Sequence, residues 1–187
     1  MVLNSLTWSK NIQLNQPFID PETVPEKLLN HDATLIITNQ ELQTNEIEAR
    51  YLGTERLSVN LDQFTYQANQ TSVTFQELKG LSFVVLGDIS LWRAIIQDNI
   101  PQAKFLYQAP TTAFTEITKY SNFPYFSTNL SQLAPDHHPD ENDDRIRIPI
   151  SDSAAKMAFY AAYLKSNRQL VRPLIKKFRQ PGFKLRR

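Results

Sequence analysis

Several hydroxyl and amide side chains in this sequence follow stretches that read as short buried strands. Such strands are predicted at residues 32–39, 83–86, 103–107 and 123–126. Ligands of α/β proteins bind at the carboxyl ends of parallel strands, and the backbone N–H groups at a helix N-terminus can hold an anion. These positions therefore predict a site for a small carboxylate-like anion. The candidate ligand-binding residues are Thr38, Asn39, Ser90, Thr111, Thr112, Thr128 and Asn129.

A second interpretation stays open for each of these residues, because polar side chains also cap helices and end strands without touching a ligand. Asp88 would repel an anion, so we expect it to cap the helix that follows it. Trp92 continues the apolar stripe of that helix with Ile95 and Ile96. The stripe predicts that Trp92 packs in the core.

Catalytic and metal-binding patterns are not found in the sequence. Its four glycines form neither a phosphate-binding loop nor a nucleophile elbow, and without cysteine it has neither thiolate metal ligands nor a Cys nucleophile. His137 and His138 stand in an acidic loop at residues 134–144. Adjacent histidines lack the fixed facing geometry of metal ligands on a helix, so a solvated loop is the better interpretation. We predict no catalytic residue, no metal, no cofactor and no enzymatic activity.

Composition limits the class of protein. The chain has 187 residues, 41% of them hydrophobic, and a formal net charge of +1, which describes an ordinary globular protein. The absence of cysteine fits a reducing compartment. Neither a signal peptide nor a membrane span is visible, so we expect a cytoplasmic protein with no membrane partner.

Basic residues are concentrated at the end of the chain. Residues 168–187 contain eight of them and no acidic residue. Such a segment could bind nucleic acid. No aromatic or glycine pattern of a nucleic-acid module accompanies it, so a solvated helix face is favoured.

Strands and helices alternate along most of the chain. The apolar run Phe83–Leu86 is followed by Gly87 and a helical stripe at residues 89–99, which makes a strand–helix unit. Further strands are predicted at residues 3–8, 57–61 and 145–150, and further helices at residues 22–29, 110–120 and 170–178. This alternation predicts an α/β fold with mostly parallel sheets.

One segment carries conflicting signals. Residues 153–164, SAAKMAFYAAYL, are rich in alanine and favour a helix by propensity. Met157, Phe159, Ala161 and Tyr163 also alternate as they would in a strand. The residues alone lean towards a helix.

Three long stretches resemble the effector-binding domain of LysR-type transcriptional regulators. They are FQELKGLSFVVLGDISLWRAII, KFLYQAPTTAFTEITKYSNFPYFSTN and RIRIPISDSAAKMAFYAAYLKSNRQLVRPLIKKF. The earlier HDATLIITN and YLGTERLSVNL are similar to a strand and a crossover strand of that family. The likeness covers roughly residues 22–178 and lies in the order and character of the elements.

The resemblance implies a two-lobed domain of the type 2 periplasmic-binding-protein fold, with two mostly parallel sheets and two crossover strands. Lobe one would hold residues 1–61 and 156–187, and lobe two residues 62–155. The second crossing would lie at residues 157–163, so we predict a strand there against the propensity. A small anionic effector would bind in the cleft between the lobes.

The resemblance also implies partners. Regulators of this family pair through their effector domains, so a homodimer is expected. They contact DNA through an N-terminal winged helix-turn-helix, which is not visible in this sequence. Two other functions remain open, a solute-binding protein of the same fold and an interaction module that senses nothing.

Overall fold

The structure is a computed structural model, and it describes residue 13 and residues 19–109, 111–131 and 143–178. The strand predicted at residues 3–8 lies outside these ranges. So does nearly all of the acidic loop with His137 and His138.

The described residues form four α-helices and seven β-strands. The helices are α1 (Val24–Leu29), α2 (Trp92–Asn99), α3 (Thr111–Tyr120) and α4 (Arg168–Phe178). The strands are β1 (Ile36–Thr38), β2 (Ile47–Asp62), β3 (Ser82–Leu86), β4 (Lys104–Gln108), β5 (Tyr125–Thr128), β6 (Arg145–Pro149) and β7 (Lys156–Leu164). Short 3-10 turns connect several of them.

The strands are hydrogen-bonded in the order β1-β7-β2-β5-β3-β4, and β6 pairs with β2. Strands β3, β4 and β5 are parallel, whereas β1 with β7 and β2 with β5 and β6 are antiparallel. The predicted α/β fold is confirmed. The expected parallel pairing is concentrated in the strand–helix repeat, because a helix between two strands returns the chain to the same end of the sheet.

The chain divides into two compact units. Unit one contains the described residues up to Glu55 and from Met157 onwards, and unit two contains those from Arg56 to Lys156. The first boundary falls inside β2, six residues before the end of lobe one as the sequence analysis draws it at residue 61. Strand β2 therefore contributes residues to both units. The sequence analysis instead expects two separate sheets.

Unit one packs a helix on each side of its strands. Helix α1 buries Val24 and Leu28 against Ile36, Ile47 and Ala162. Helix α4 packs on the alternate residues of β7, where Ala161 and Tyr163 meet Val171 and Ile175. Both faces of β7 are thus buried, which explains why its sequence is apolar at nearly every position.

Unit two is built around β3. Phe83, Val84 and Val85 are all buried, as expected for a central strand covered on both faces. The ring of Phe83 packs against Phe105 and Phe126 with centroids 5.8 and 4.6 Å apart. These three aromatic residues connect the neighbouring strands β4, β3 and β5 on one face of the sheet.

The strand predicted at residues 157–163 is confirmed as part of β7. It pairs with β1 in a regular antiparallel register from Ile36 opposite Ala162 to Thr38 opposite Tyr160. Alanine favours a helix only by a fraction of a kcal/mol per residue, and this preference is outweighed by burial of both faces of the strand.

Four local predictions need correction. Strand β2 begins ten residues earlier than predicted, β1 has only three residues, and β5 begins and ends two residues later. Helix α2 begins at Trp92 and has no side-chain cap, so Asp88 and Ser90 do not cap it. The prediction that Trp92 is buried is confirmed.

Within the residues the structure describes, no helix is long and apolar enough to cross a membrane.

A buried carboxylate connects β2 to α4 within unit one. The Glu48 side chain is 7% exposed and accepts hydrogen bonds from Arg168, with nitrogen–oxygen distances of 2.8 and 2.6 Å. Arg50 approaches its other oxygen at 2.5 Å. Burial alone would raise the pKa of Glu48, but the hydrogen bond from Arg168 and the charge of Arg50 outweigh it and hold the pKa below the usual value.

Because the pKa of Glu48 is lowered on folding, its contribution to stability is complete above the ordinary pKa of 4.5 and is lost as the pH falls below it. We predict that Glu48→Gln lowers the free energy of unfolding by about 1–2 kcal/mol at neutral pH. The variant should then lose less stability than the wild type on acidification. Urea unfolding at a series of pH values measures both effects.

Glu46→Gln is the matched control, since the Glu46 side chain is exposed and no described residue forms an ion pair with it. It should follow the wild-type pH dependence. If the two variants behave alike, the ion pairs of Glu48 do not contribute to stability.

Candidate functional site

The carboxyl ends of three parallel strands meet at one edge of unit two. Leu86 of β3 pairs with Gln108 of β4, and the Gly87 N–H donates a 2.7 Å hydrogen bond to the Gln108 carbonyl. Strand β5 runs parallel on the other side of β3. The described residues that follow the three strands, 87–90, 109, 111, 112 and 129, therefore lie together, and we call them the carboxyl edge. Helix α2 begins after residue 90, and residues 111 and 112 are the first two residues of α3.

The antiparallel strands add their own ends to this edge. Leu57 of β2 pairs with Thr128 of β5, so β2 enters unit two where β5 ends. The Ile150 N–H donates a 3.2 Å hydrogen bond to the Leu57 carbonyl, which places the end of β6 there as well. Five chain segments thus meet at the carboxyl edge. Together they offer many backbone and side-chain groups to a ligand.

Glycine is required where β3 and β4 leave the sheet. A Cβ atom on Gly87 would lie 2.9 Å from the Ala109 Cα and 3.2 Å from the Gln108 carbonyl oxygen. These are backbone atoms that cannot move aside cheaply. The close approach at Gly87 keeps the two strand ends, and the helices after them, at a short and fixed separation.

Three of the predicted residues expose their hydroxyl groups at this edge. Thr111 and Thr112 occupy the first turn of α3, and both are exposed. Ser90 is also exposed and adopts a positive φ of 50°. A left-handed backbone is uncommon for a residue other than glycine, so the turn before α2 holds Ser90 in a specific orientation.

Thr128 and Asn129 also lie at the edge, but their side chains hold the chain in place. The Asn129 Oδ1 accepts a 2.6 Å hydrogen bond from the Arg56 N–H, and the Asn129 N–H donates to the Arg56 carbonyl at 3.2 Å. Thr128 is buried, and its Oγ1 accepts from the N–H groups of Leu130 and Ser131 at 3.2 Å. These hydrogen bonds to the backbone are typical of polar residues at the end of a strand.

Thr38 and Asn39 lie in unit one, at the end of β1 and directly after it. Thr38 is buried, and its Oγ1 accepts a 3.3 Å hydrogen bond from the Gln40 N–H. Asn39 is half-buried. A role for either residue in ligand binding stays a prediction.

The sequence analysis missed a group of buried charges beneath α3. The Arg145 side chain is 6% exposed and contacts Asp143 at 2.8 Å. Its guanidinium also donates to the carbonyls of Thr118, at 2.7 Å, and Ser121 at the end of α3. The Tyr125 hydroxyl donates to Asp143 at 3.0 Å, and burial, with the negative charge of Asp143, raises the pKa of Tyr125 to about 12.

A signal for this group was present in the RIRIPI pattern. The alternation correctly predicts β6, but the usual assumption that the polar residues face water is wrong there. Arg145 is buried, whereas Ile146 is 44% exposed. Ile148 and Ile150 are buried as the pattern predicts, and nothing in the sequence indicates that the start of the strand departs from it.

In the part of the chain that the structure describes, no three acidic or histidine side chains are close enough to hold a metal ion. The chemistry that the carboxyl edge offers is hydrogen bonding by hydroxyl and backbone groups, and the exposed carboxylate of Asp88 at the same edge would oppose an anion.

Comparison with known proteins gives a match by structure alone. No protein-family model matches the chain, and no curated protein matches its sequence. The reduced OxyR regulatory domain from Pseudomonas aeruginosa aligns with a TM-score of 0.61 and 14% identity, over 84% of this chain and 78% of that one. The regulatory domain of MetR, a LysR family regulator from N. meningitidis, aligns with a TM-score of 0.62 and 16% identity, over 89% and 77%.

A third match is the CcmR regulatory domain of Synechocystis PCC6803 in complex with 2-PG, with a TM-score of 0.55 and 11% identity, over 84% of this chain and 77% of that one. The fold is therefore that of a two-lobed regulatory domain. More particularly, it is the fold of the regulatory domains of LysR-family regulators. This confirms, at the level of the fold, the resemblance that the sequence suggests.

The close approach at Gly87 makes a prediction. Gly87→Ala should lower the free energy of unfolding by about 1–3 kcal/mol, because the added methyl group pushes against backbone atoms of residues 108 and 109. Chemical denaturation followed by circular dichroism measures the change.

Gly53→Ala serves as its control, since a Cβ atom there meets nothing within 4 Å. Gly53 lies within β2, where alanine costs less entropy than glycine, and its replacement should be neutral or stabilising by up to about 1 kcal/mol. Equal destabilisation by the two substitutions would show that the strand ends are not closely packed.

Proposed function

We propose that this chain is the ligand-sensing domain of a transcription regulator of the LysR type. In this proposal it binds a small anionic metabolite, acts as a homodimer in the cytoplasm, and affects DNA only through a separate DNA-binding domain. No catalytic step is part of the proposal. The neighbours by fold, OxyR, MetR and CcmR regulatory domains, support it.

The observation that carries the proposal is the carboxyl edge of unit two. Parallel strands β3, β4 and β5 end there, and Ser90, Thr111 and Thr112 expose hydroxyl groups beside the starts of two helices. Ligands of α/β sheets bind outside the carboxyl ends of the strands. Hydroxyl groups and backbone N–H groups recognise an anion without requiring a full positive charge.

The burial of the seven predicted residues separates their expected roles. Ser90, Thr111 and Thr112 are exposed, so they are the proposed ligand contacts at this edge. Thr128 and Asn129 are engaged by the backbone, so we expect them to shape the site. Thr38 and Asn39 stay proposed contacts whose role the same experiment tests.

The test is a thermal-shift titration with a panel of small organic acids and amino acids that includes 2-PG, the ligand named with the CcmR domain. A compound that binds the folded state raises the melting temperature as its concentration increases. We expect at least one acid in the panel to do so. Thr112→Val, which removes one exposed hydroxyl, should weaken the binding of that compound by about two- to tenfold.

Thr115→Val is the matched control, because Thr115 lies one turn further along the same helix and its hydroxyl donates to the Thr111 carbonyl. It should leave the affinity unchanged. A panel in which no compound stabilises the protein would contradict the sensing function and favour an interaction module. Equal losses in the two variants would place the ligand away from the carboxyl edge.

A further inference from the structure

A second polar patch lies within unit two, on the sheet face that carries Tyr125. Asn60 of β2 pairs with Tyr125 of β5 on one side and with Arg147 of β6 on the other. Directly opposed residues of neighbouring strands point to the same face of a sheet. Ser58 and Ser127 form the adjacent pair two residues along and share that face. These five residues form a row of polar groups across three strands.

Arg147 has no counter-ion in this patch. None of the ion pairs or hydrogen bonds among the described residues involves its guanidinium group, and its Nε is completely buried. Its neighbour on the strand, Arg145, is by contrast paired with Asp143. Desolvation by burial lowers the pKa of Arg147 below its ordinary value, as expected for a charge that is partly removed from water.

The rest of the patch supplies further donors. Asn60 donates to the Ser127 Oγ at 2.9 Å and to the Tyr125 carbonyl at 3.2 Å. The Ser127 oxygen accepts that bond, so its own hydroxyl hydrogen is free to donate elsewhere. The Ser58 hydroxyl makes no hydrogen bond to any described residue, although Ser58 is buried. An arginine and two hydroxyl groups thus share one face. The acidic side chain that contacts the row, Asp143, accepts from the Tyr125 hydroxyl and is paired with Arg145.

We propose that Arg147, with Ser58 and Ser127, binds a small oxyanion, a carboxylate or a tetrahedral anion such as sulfate. A guanidinium donates two parallel hydrogen bonds to such a group, and the serine hydroxyls would donate the others. A half-buried arginine without a counter-ion costs stability, and a bound anion would remove that cost. The patch lies within unit two and uses none of the seven residues predicted from the sequence.

The test compares sodium sulfate and sodium acetate with sodium chloride at matched ionic strength, using the melting temperature of the whole chain. Sulfate or acetate should raise the melting temperature of the wild type more than chloride does. Arg147→Gln should weaken the anion binding behind this response by about tenfold or more, which is the loss expected for hydrogen bonds to a charged group. Ser127→Ala should weaken it by a few fold.

Arg172→Gln is the matched control, because Arg172 is an exposed arginine on α4 in unit one, and it should keep the full response. In buffer without either anion, Arg147→Gln should fold and be at least as stable as the wild type, since it removes a partly desolvated charge that forms no ion pair with a described residue. Loss of folding or lower stability in Arg147→Gln would show a structural role and overturn the proposal.

Two other results would overturn it as well. One is a wild-type response to sulfate and acetate that does not exceed the response to chloride. The other is an undiminished response in Arg147→Gln. Neither result bears on the organic-acid titration at the carboxyl edge, where Thr112→Val is the diagnostic variant, so the two proposals fail separately.

Discussion

Strand β2 is the constraint on which the rest of the structure depends. It contains 16 residues, and its first part lies in unit one while its second part lies in unit two. In unit two its residues 58–60 pair with β5 on one side and with β6 on the other. Val59, at the centre of this pairing, is fully buried. The register of one strand therefore fixes three strands at once.

Both proposed sites follow from that register. The pairing of Leu57 with Thr128 brings β2 to the carboxyl edge, and Asn129 holds it there through two hydrogen bonds to the Arg56 backbone. The pairing of Asn60 with Arg147 places a guanidinium that pairs with no described residue on the same sheet face as Ser58 and Ser127. Because a shift of one residue would turn every side chain of β2 to the opposite face, such a shift would remove both arrangements.

The parts of the fold that could be predicted from the sequence are those with strong local signals. The buried run around Val84, the helix that begins at Thr111 and the alternation in β6 all correspond to elements of the structure. The β7 strand was predicted only through the family resemblance. By contrast, β2 extends back to Ile47 through polar residues such as Glu48 and Arg50, whose side chains pair with each other and with α4. Sequence patterns do not reveal such partners.

The candidate site likewise has a part that could be predicted from the sequence and a part that could not. Topology rules correctly brought Ser90, Thr111 and Thr112 to one edge, because they follow parallel strands. They could not distinguish these exposed residues from Thr128 and Asn129, whose side chains bind the backbone. Arg147 was not a candidate, since an arginine in an alternating strand normally faces water. Its surroundings depend on the pairing of β2 with β5 and β6, which are distant in sequence.

Amide hydrogen exchange along β2, measured by NMR, tests the shared strand most directly. The amides of Ser58, Val59 and Asn60, which lie between β5 and β6, should be among the slowest to exchange in unit two. The exposed first turn of α3, at Thr111 and Thr112, should exchange rapidly. If the amides of residues 58–60 exchanged as fast as that turn, β2 would not be the central strand of unit two, and the placement of both sites would be wrong.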